Sequence, residues 1–147
     1  MSHGNFLAGE SLCRAHNSTL TGFQTNAERL KIGNVAKQTI QSLQMEEALM
    51  WIGARRHGHC PRFGMCFPKE TFFWTDNFTK GKEAFQFYIR QPDAYFNPKW
   101  GFEACVQQMI FASGTTYAKY PRALHAQLND LHCQNPKVQM CACGRRP

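Results

Sequence analysis

The sequence predicts an α+β domain stapled by disulfides. Three observations carry this: helical periodicity confined to the first third of the chain, short apolar runs separated by long loops after it, and seven cysteines among 147 residues. That length suits one domain with one core, which we take as residues 1–147. Apolar residues make up 43%, too many for a wholly disordered chain. No apolar run reaches the ~18 residues that a membrane span needs.

Residues 6–16, FLAGESLCRAH, read as a short helix with Phe6, Leu12 and Cys13 inward. Thr25 followed by Glu28 three residues later is a capping box and opens a second helix. Along it Ile32, Val35, Ala36, Thr39, Ile40 and Leu43 recur at helical spacing, as far as about Gln44. ALMWIGA (48–54) is a buried strand. RRHGHCPRFGMCFPKE (55–70) is broken by Gly and Pro and reads as loop. TFFWTD (71–76) is a strand, and 77–101 has few regular signals. EACVQQMIFA (103–112) returns to strand character, 113–127 is irregular, and VQMCAC (138–143) closes as a strand. Long structureless loops are rare in a compact domain unless functional or cross-linked.

The cysteines lie where cross-links can hold those loops: Cys13, Cys60, Cys66, Cys105, Cys133, Cys141 and Cys143. No Cys-x-x-Cys pair occurs, and Cys141-Ala-Cys143 is too tight for a zinc knuckle. Disulfides are the better reading, with the oxidising, extracellular compartment they imply. Cys60 and Cys66 are close enough in sequence to close a small loop on themselves. Two sequons, Asn17-Ser-Thr and Asn77-Phe-Thr, agree with a secreted glycoprotein. The opening residues lack the charged and apolar regions of a signal peptide. The net charge is +7, yet no basic run exceeds two residues, Arg55-Arg56 and Arg145-Arg146. Scattered base of this kind keeps a secreted domain soluble and does not track a nucleic acid.

Several motifs occur in series: Cys13 in the first helix, LTGFQTNAERLKI, WIGA, WTDN, QPD, EACV, NDLHC and MCACG. In this order they resemble the C-type lectin-like domain over almost the whole chain. LTGFQTNAERLKI, the Cys60 to Cys66 loop after WIGAR and the ending CGRRP are most like the nematode group. The resemblance implies two helices flanking small antiparallel sheets, with a long loop region that carries calcium and sugar. It implies that Cys105 pairs with Cys133, and Cys13 with Cys141 or Cys143. Spacing from Cys133 favours Cys141; the glycine that follows Cys143 favours Cys143. The seventh thiol is then free or bridges to another chain, so that a disulfide-linked or non-covalent homo-oligomer is one expectation. Only five residues precede Phe6, so the family's first strand is missing or truncated in this sequence. Leu128 stands where the family usually has tryptophan, and residues 109–127 are longer than typical and could reshape the site.

Carried over residue by residue, the resemblance places a calcium ion on Gln91, Asp93, Glu103, Asn129 and Asp130. All five offer the oxygen that this hard cation requires. One observation is independent of the family: residues 84–147 contain seven Lys and Arg but only three acids, and these are Asp93, Glu103 and Asp130. The rival reading takes them as ordinary surface carboxylates, with Asn129-Asp130 a turn. In the family a cis proline, here Pro92, aims both flanking side chains at the ion. Sugar hydroxyls then coordinate calcium and hydrogen-bond to Gln91, Asp93, Glu103 and Asn129. An amide donates where a carboxylate only accepts. The order Gln-Pro-Asp goes with terminal galactose or N-acetylgalactosamine. Tyr95 or Trp100 would face the apolar side of the sugar ring, or else pack within the loop.

Catalysis has little support. His57 and His59 next to Cys60 lack a fourth metal ligand, and His16, His125 and His132 show no partnered nucleophile, so the histidines read as mostly surface residues. The stronger rival is a calcium-independent domain of the same fold that binds a protein or another surface.

Overall fold

The computed structural model describes residues 3–113 and 121–147. Helix α1 spans Phe6–Ala15, where the Asn5 side chain caps the helix by accepting from the Ala8 N–H at 2.9 Å. Ten residues make a marginal helix in water. Tertiary contacts hold it: Phe6, Gly9 and Cys13 face inward. Leu12 does not; it is 48% exposed, because Gly9 and Cys13, four apart, are the positions that meet the sheet.

Strand β1 (Thr19–Leu20) precedes α2 (Asn26–Ser42). The hydroxyl of Thr25 accepts from the Glu28 N–H at 3.1 Å, and Glu28 reaches back to the Gln24 N–H at 2.7 Å, so the capping box forms one residue wider than usual. The inward positions of α2 are Arg29, Gly33, Ala36 and Ile40. Val35, Thr39 and Leu43, read as inward from their spacing, are exposed. The stripe is rotated because Gly33 lets the 126 turn approach closely. A Cβ at Gly33 would lie 2.6 Å from that of Ala126. The Ala126 carbonyl accepts from the Arg29 guanidinium and, at 3.1 Å, from Gln108.

Strands β2 (Glu47–Arg56), β3 (Phe72–Trp74), β6 (Cys105–Phe111) and β7 (Leu128–Leu131) form an antiparallel sheet in the order β3-β2-β6-β7. Strand β8 (Met140–Cys141) adds to β2 in parallel. A second ladder joins β1 to β9 (Cys143–Gly144), and a third joins β4 (Phe96–Asn97) to β5 (Gly101–Phe102). The expected closing strand over 138–143 is therefore two short strands in two sheets. Strand β2 runs two residues past Ala54, into the stretch read as loop. Among the described residues before α1 there is a single bridge, Gly4 with Val138.

Alternation along β2 divides the core. Met50, Ile52 and Ala54 join Ala36 and Ile40 of α2, together with Phe72, Trp74, Val106, Ile110 and Leu128. Trp51 joins Phe6 and Cys13 of α1, with Leu20, Cys105 and Leu131. The two helices thus flank the sheet. Each large apolar side chain fully buried here contributes roughly 1.5–3 kcal/mol. Leu128 is fully buried, so the position remains a core position without tryptophan.

Three disulfides fix the chain: Cys13–Cys143, Cys60–Cys66 and Cys105–Cys133. Of the two candidates for Cys13, Cys143 is bonded. Cys141 is free and half-buried, with its sulfur 3.9 Å from that of Cys143. No described helix is long and apolar enough to cross a membrane.

Candidate functional site

The site is built where three loops meet the ends of β6 and β7. Val106 pairs with Asp130 and Gln107 with Asn129, which sets the buried Asn-Asp pair beside Glu103. The β4–β5 hairpin turns at Gly101, in the left-handed region at φ 78°, and brings the Glu103 N–H to the Tyr95 carbonyl at 3.1 Å. The Gln91–Pro92 peptide bond is cis. Asp130 organises the turn that follows: its carboxylate accepts the Ala94 N–H at 2.8 Å and the Asp93 N–H at 3.2 Å. The Asp93 N–H also reaches Gln91 Oε1 at 3.2 Å.

Carboxylate oxygens of Asp93, Glu103 and Asp130 all lie within 4.8 Å of one another. Burial first, then repulsion from Asp130 and Asp93, pushes the Glu103 carboxyl up to about 9. Burial also raises Asp130, against the opposing pull of the Ala94 N–H and Arg56. Three crowded acids, little hydrated, are a site that gains from a cation. The donor set is all oxygen, so the residues present fit calcium. Asp93, Glu103 and Asp130 would hold it, with Gln91 and Asn129 adjacent. Bound there, the ion would supply open coordination positions for a ligand's hydroxyls.

Gln91 and Asp93 also open onto a groove of ≈ 760 Å³ lined by Phe63, Tyr88, Arg90 and Arg122. Tyr95 is 61% exposed and Trp100 half-buried. Their rings lie 6.1 and 5.6 Å from the ring of His132. The stretch 109–127, expected to reshape the site, falls partly outside the described residues, at 114–120; its far end returns beside β6, where the Ala126 N–H donates to Met109 at 2.8 Å. The sequon residues Asn17 and Asn77 are exposed and line a different groove, beside β9.

Two residues of the site were not identified from sequence. His132, expected at the surface, is 5% exposed, and its Nε2 lies 3.1 Å from the Tyr95 carbonyl and 3.0 Å from that of Gly101. Arg56, read as part of a surface basic pair in a loop, lies inside the cluster. A register shift between Trp51 and Arg55 changes the pairing of β2 with β6, which resumes at Arg55 opposite Cys105 and sets Arg56 beside the site. Its Nη2 is 2.7 Å from Asp130 Oδ2, with the two side chains 5% and 0% exposed. Continuing the β2 alternation from Ile52 and Ala54 to Arg56 would have placed it inward.

Two helices flanking a disulfide-stapled sheet, with an acidic loop site at one end, define a C-type lectin-like domain. A family model, C-type lectin domain-containing protein 141/158, matches residues 4–142, and the chain belongs to that family. No curated protein sequence matches it significantly. Among solved structures, the mouse scavenger receptor C-type lectin carbohydrate-recognition domain is similar with a TM-score of 0.56 and 16% identity, covering 100% of this chain and 87% of that one. The C-type lectin domain of murine dendritic cell inhibitory receptor 2, in complex with N-glycan, gives 0.54 and 17%, covering 99% and 85%. A calcium-independent type II antifreeze protein gives 0.57 and 16%, covering 97% and 82%. At such identities the likeness establishes the fold.

Proposed function

We propose that this chain is a secreted, calcium-dependent carbohydrate-binding domain that takes terminal galactose or N-acetylgalactosamine. The observation that carries this reading is the convergence of Asp93, Glu103 and Asp130 within 4.8 Å beside Gln91, at the edge of an open groove. Calcium is held by these acids with Gln91 and Asn129; the sugar hydroxyls meet Gln91, Asp93, Glu103 and Asn129, and Tyr95 or Trp100 covers the apolar side of the ring. The 147 residues act as one binding domain without catalysis, with Asn17 and Asn77 as glycan acceptors and Cys141 available to link copies. The glycan-bound neighbour is consistent with this role, since a related fold accommodates a saccharide.

A second reading has its own observation: the Arg56 guanidinium already pairs with Asp130 at 2.7 Å, so the cluster holds one positive charge of its own. That favours a calcium-independent interaction domain. Calcium titration read by Trp fluorescence and melting separates the two. Calcium-dependent binding predicts a response at roughly 10⁻⁴–10⁻³ M, as for extracellular modules, and its loss in Asp130→Ala. No response in the native chain, or an equal one in the variant, removes calcium from the function.

A further inference from the structure

We infer that Arg56 is a resident cation of the carboxylate cluster, which holds the site folded without calcium and weakens calcium binding there. This rests on the calcium reading of the cluster. Each of the three guanidinium nitrogens donates within the site: Nη2 to Asp130 Oδ2 at 2.7 Å, Nε to the Glu103 carbonyl at 2.8 Å, and Nη1 to the Cys60 carbonyl at 3.2 Å. Its cationic carbon lies 4.8 Å from the centre of the Phe72 ring, which closes the remaining side. Arg56 therefore bonds to residues of two calcium-ligand positions and to the base of the Cys60–Cys66 loop at once.

The charge arithmetic gives the consequence. Asp93, Glu103 and Asp130 carry −3 when ionised, and Arg56 returns +1, leaving −2. A divalent ion can balance that remainder, but it enters against a fixed, nearly waterless positive charge. It must also share Asp130, whose Oδ2 accepts from Arg56 and the Ala94 N–H, and whose Oδ1 accepts from the Asp93 N–H. The same guanidinium offsets part of the repulsion among the acids before any ion arrives. Its two effects thus oppose one another: it supports the calcium-free fold and lowers the gain from calcium.

Arg56→Gln separates them, with Arg56→Lys as the charge-keeping control. Melting in chelator and in millimolar calcium, together with calorimetric titration by calcium alone, gives both quantities. Arg56→Gln should melt lower than the native chain in chelator, gain more from calcium, and bind it about ten-fold more tightly, since removing one charge at a few Å relieves strong repulsion. Arg56→Lys should retain close to native affinity. A role in structure alone would lower the melting point without enlarging the calcium increment, and that result overturns the inference while leaving the calcium reading in place. Silence of both chains toward calcium overturns the two together. A response in Arg56→Gln but not in the native chain upholds the role of Arg56 and removes calcium from the native function. If Arg56→Gln does not fold in either condition, proteolysis of the native chain decides. The loop over residues 89–102 should resist cleavage in chelator, and calcium-dependent protection of it would overturn the inference.

Discussion

His132 Nε2 lies 3.1 Å from the carbonyl oxygen of Tyr95. A carbonyl only accepts, so this nitrogen carries the hydrogen and also serves the Gly101 carbonyl at 3.0 Å. His132 therefore ties the residue before β4 to the first residue of β5, and its Nδ1 faces Glu103 Oε1 at 3.7 Å. The loop that presents Tyr95 and Trp100 is fastened from beneath by one buried ring.

His132→Phe keeps the ring and removes the donor. The Gly101 and Tyr95 carbonyls then lose this donor, the latter keeping the Glu103 N–H, at ~1–3 kcal/mol in total. For a chain of this size that is a fall in Tm of roughly 2–4 °C for each kcal/mol. Trp100, 5.6 Å from the imidazole, reports the same loosening as increased quenching of its fluorescence. An unchanged melting point would show that the ring acts by packing alone.

A stability test away from the site concerns Gly33. Ala is the better helix former by about 1 kcal/mol, so Gly33→Ala in α2 should stabilise on propensity alone. The added Cβ would lie 2.6 Å from that of Ala126 and 3.2 Å from Gln108 Nε2. Ala126 has φ 70°, and its carbonyl receives two donors, so it has little room to retreat. We expect a net loss of ~1–3 kcal/mol by chemical denaturation. Gly58→Ala, which meets nothing within 4 Å, is the control and should be near neutral.

What the sequence made legible follows from local physics. The Thr25 cap, the apolar run of β2 and the continuous burial of β6 each leave a pattern in consecutive residues. Strand β7 does not. LNDL is four residues with a polar centre, and it is a strand because β6 offers it a partner. The short ladders β1–β9 and β4–β5 are two residues a side and depend on the disulfide and the Gly101 turn. At the site, the scarcity of acids pointed to Asp93, Glu103 and Asp130 before any fold was known. Arg56 and His132 escaped because composition treats a charged or titratable residue as exposed. Their burial depends on tertiary partners, a carboxylate 74 residues away for one and loop carbonyls 37 and 31 residues away for the other.

His125 gives a pH test clear of the carboxylates. Its Nδ1 accepts the Phe111 N–H at 3.1 Å, and its Nε2 lies 3.1 Å from Asn34 Oδ1, an arrangement that suits the neutral ring. Burial first, then Lys37, holds its pKa below the usual 6.5, with Arg29 adding to the same effect against a backbone hydrogen bond at Gly33. A base with a lowered folded pKa binds fewer protons folded than unfolded. Its stabilising contribution is present above 6.5 and is lost as pH falls from there through the folded pKa. Melting between neutral and mildly acidic pH should therefore fall more steeply in the native chain than in His125→Gln, whose amide can take both partners. Equal slopes would mean that His125 does not contribute to the acid sensitivity.

The last prediction concerns sugar preference. Gln91 and Asp93 flank Pro92, and Gln91 Oε1 is turned to the Asp93 N–H at 3.2 Å, which leaves the Gln91 amide N–H₂ to donate outward. Asp93 can only accept. Hydroxyls that accept on the first side and donate on the second are those expected of galactose in the reading proposed above. Gln91→Glu with Asp93→Asn keeps an oxygen at both positions and the net charge of the pair, and reverses the hydrogen-bond order. Retention should then move from immobilised galactose to immobilised mannose, since each unmatched buried group costs ~1–3 kcal/mol. Tyr95→Ala, at a side chain already largely in solvent, should weaken galactose retention and leave calcium titration nearly unchanged. Chelator should release the native chain from the column. Retention of the native chain on neither sugar would favour the calcium-independent domain. Preference of the native chain for mannose would leave the metal cluster standing and refute the argument from hydrogen-bond order.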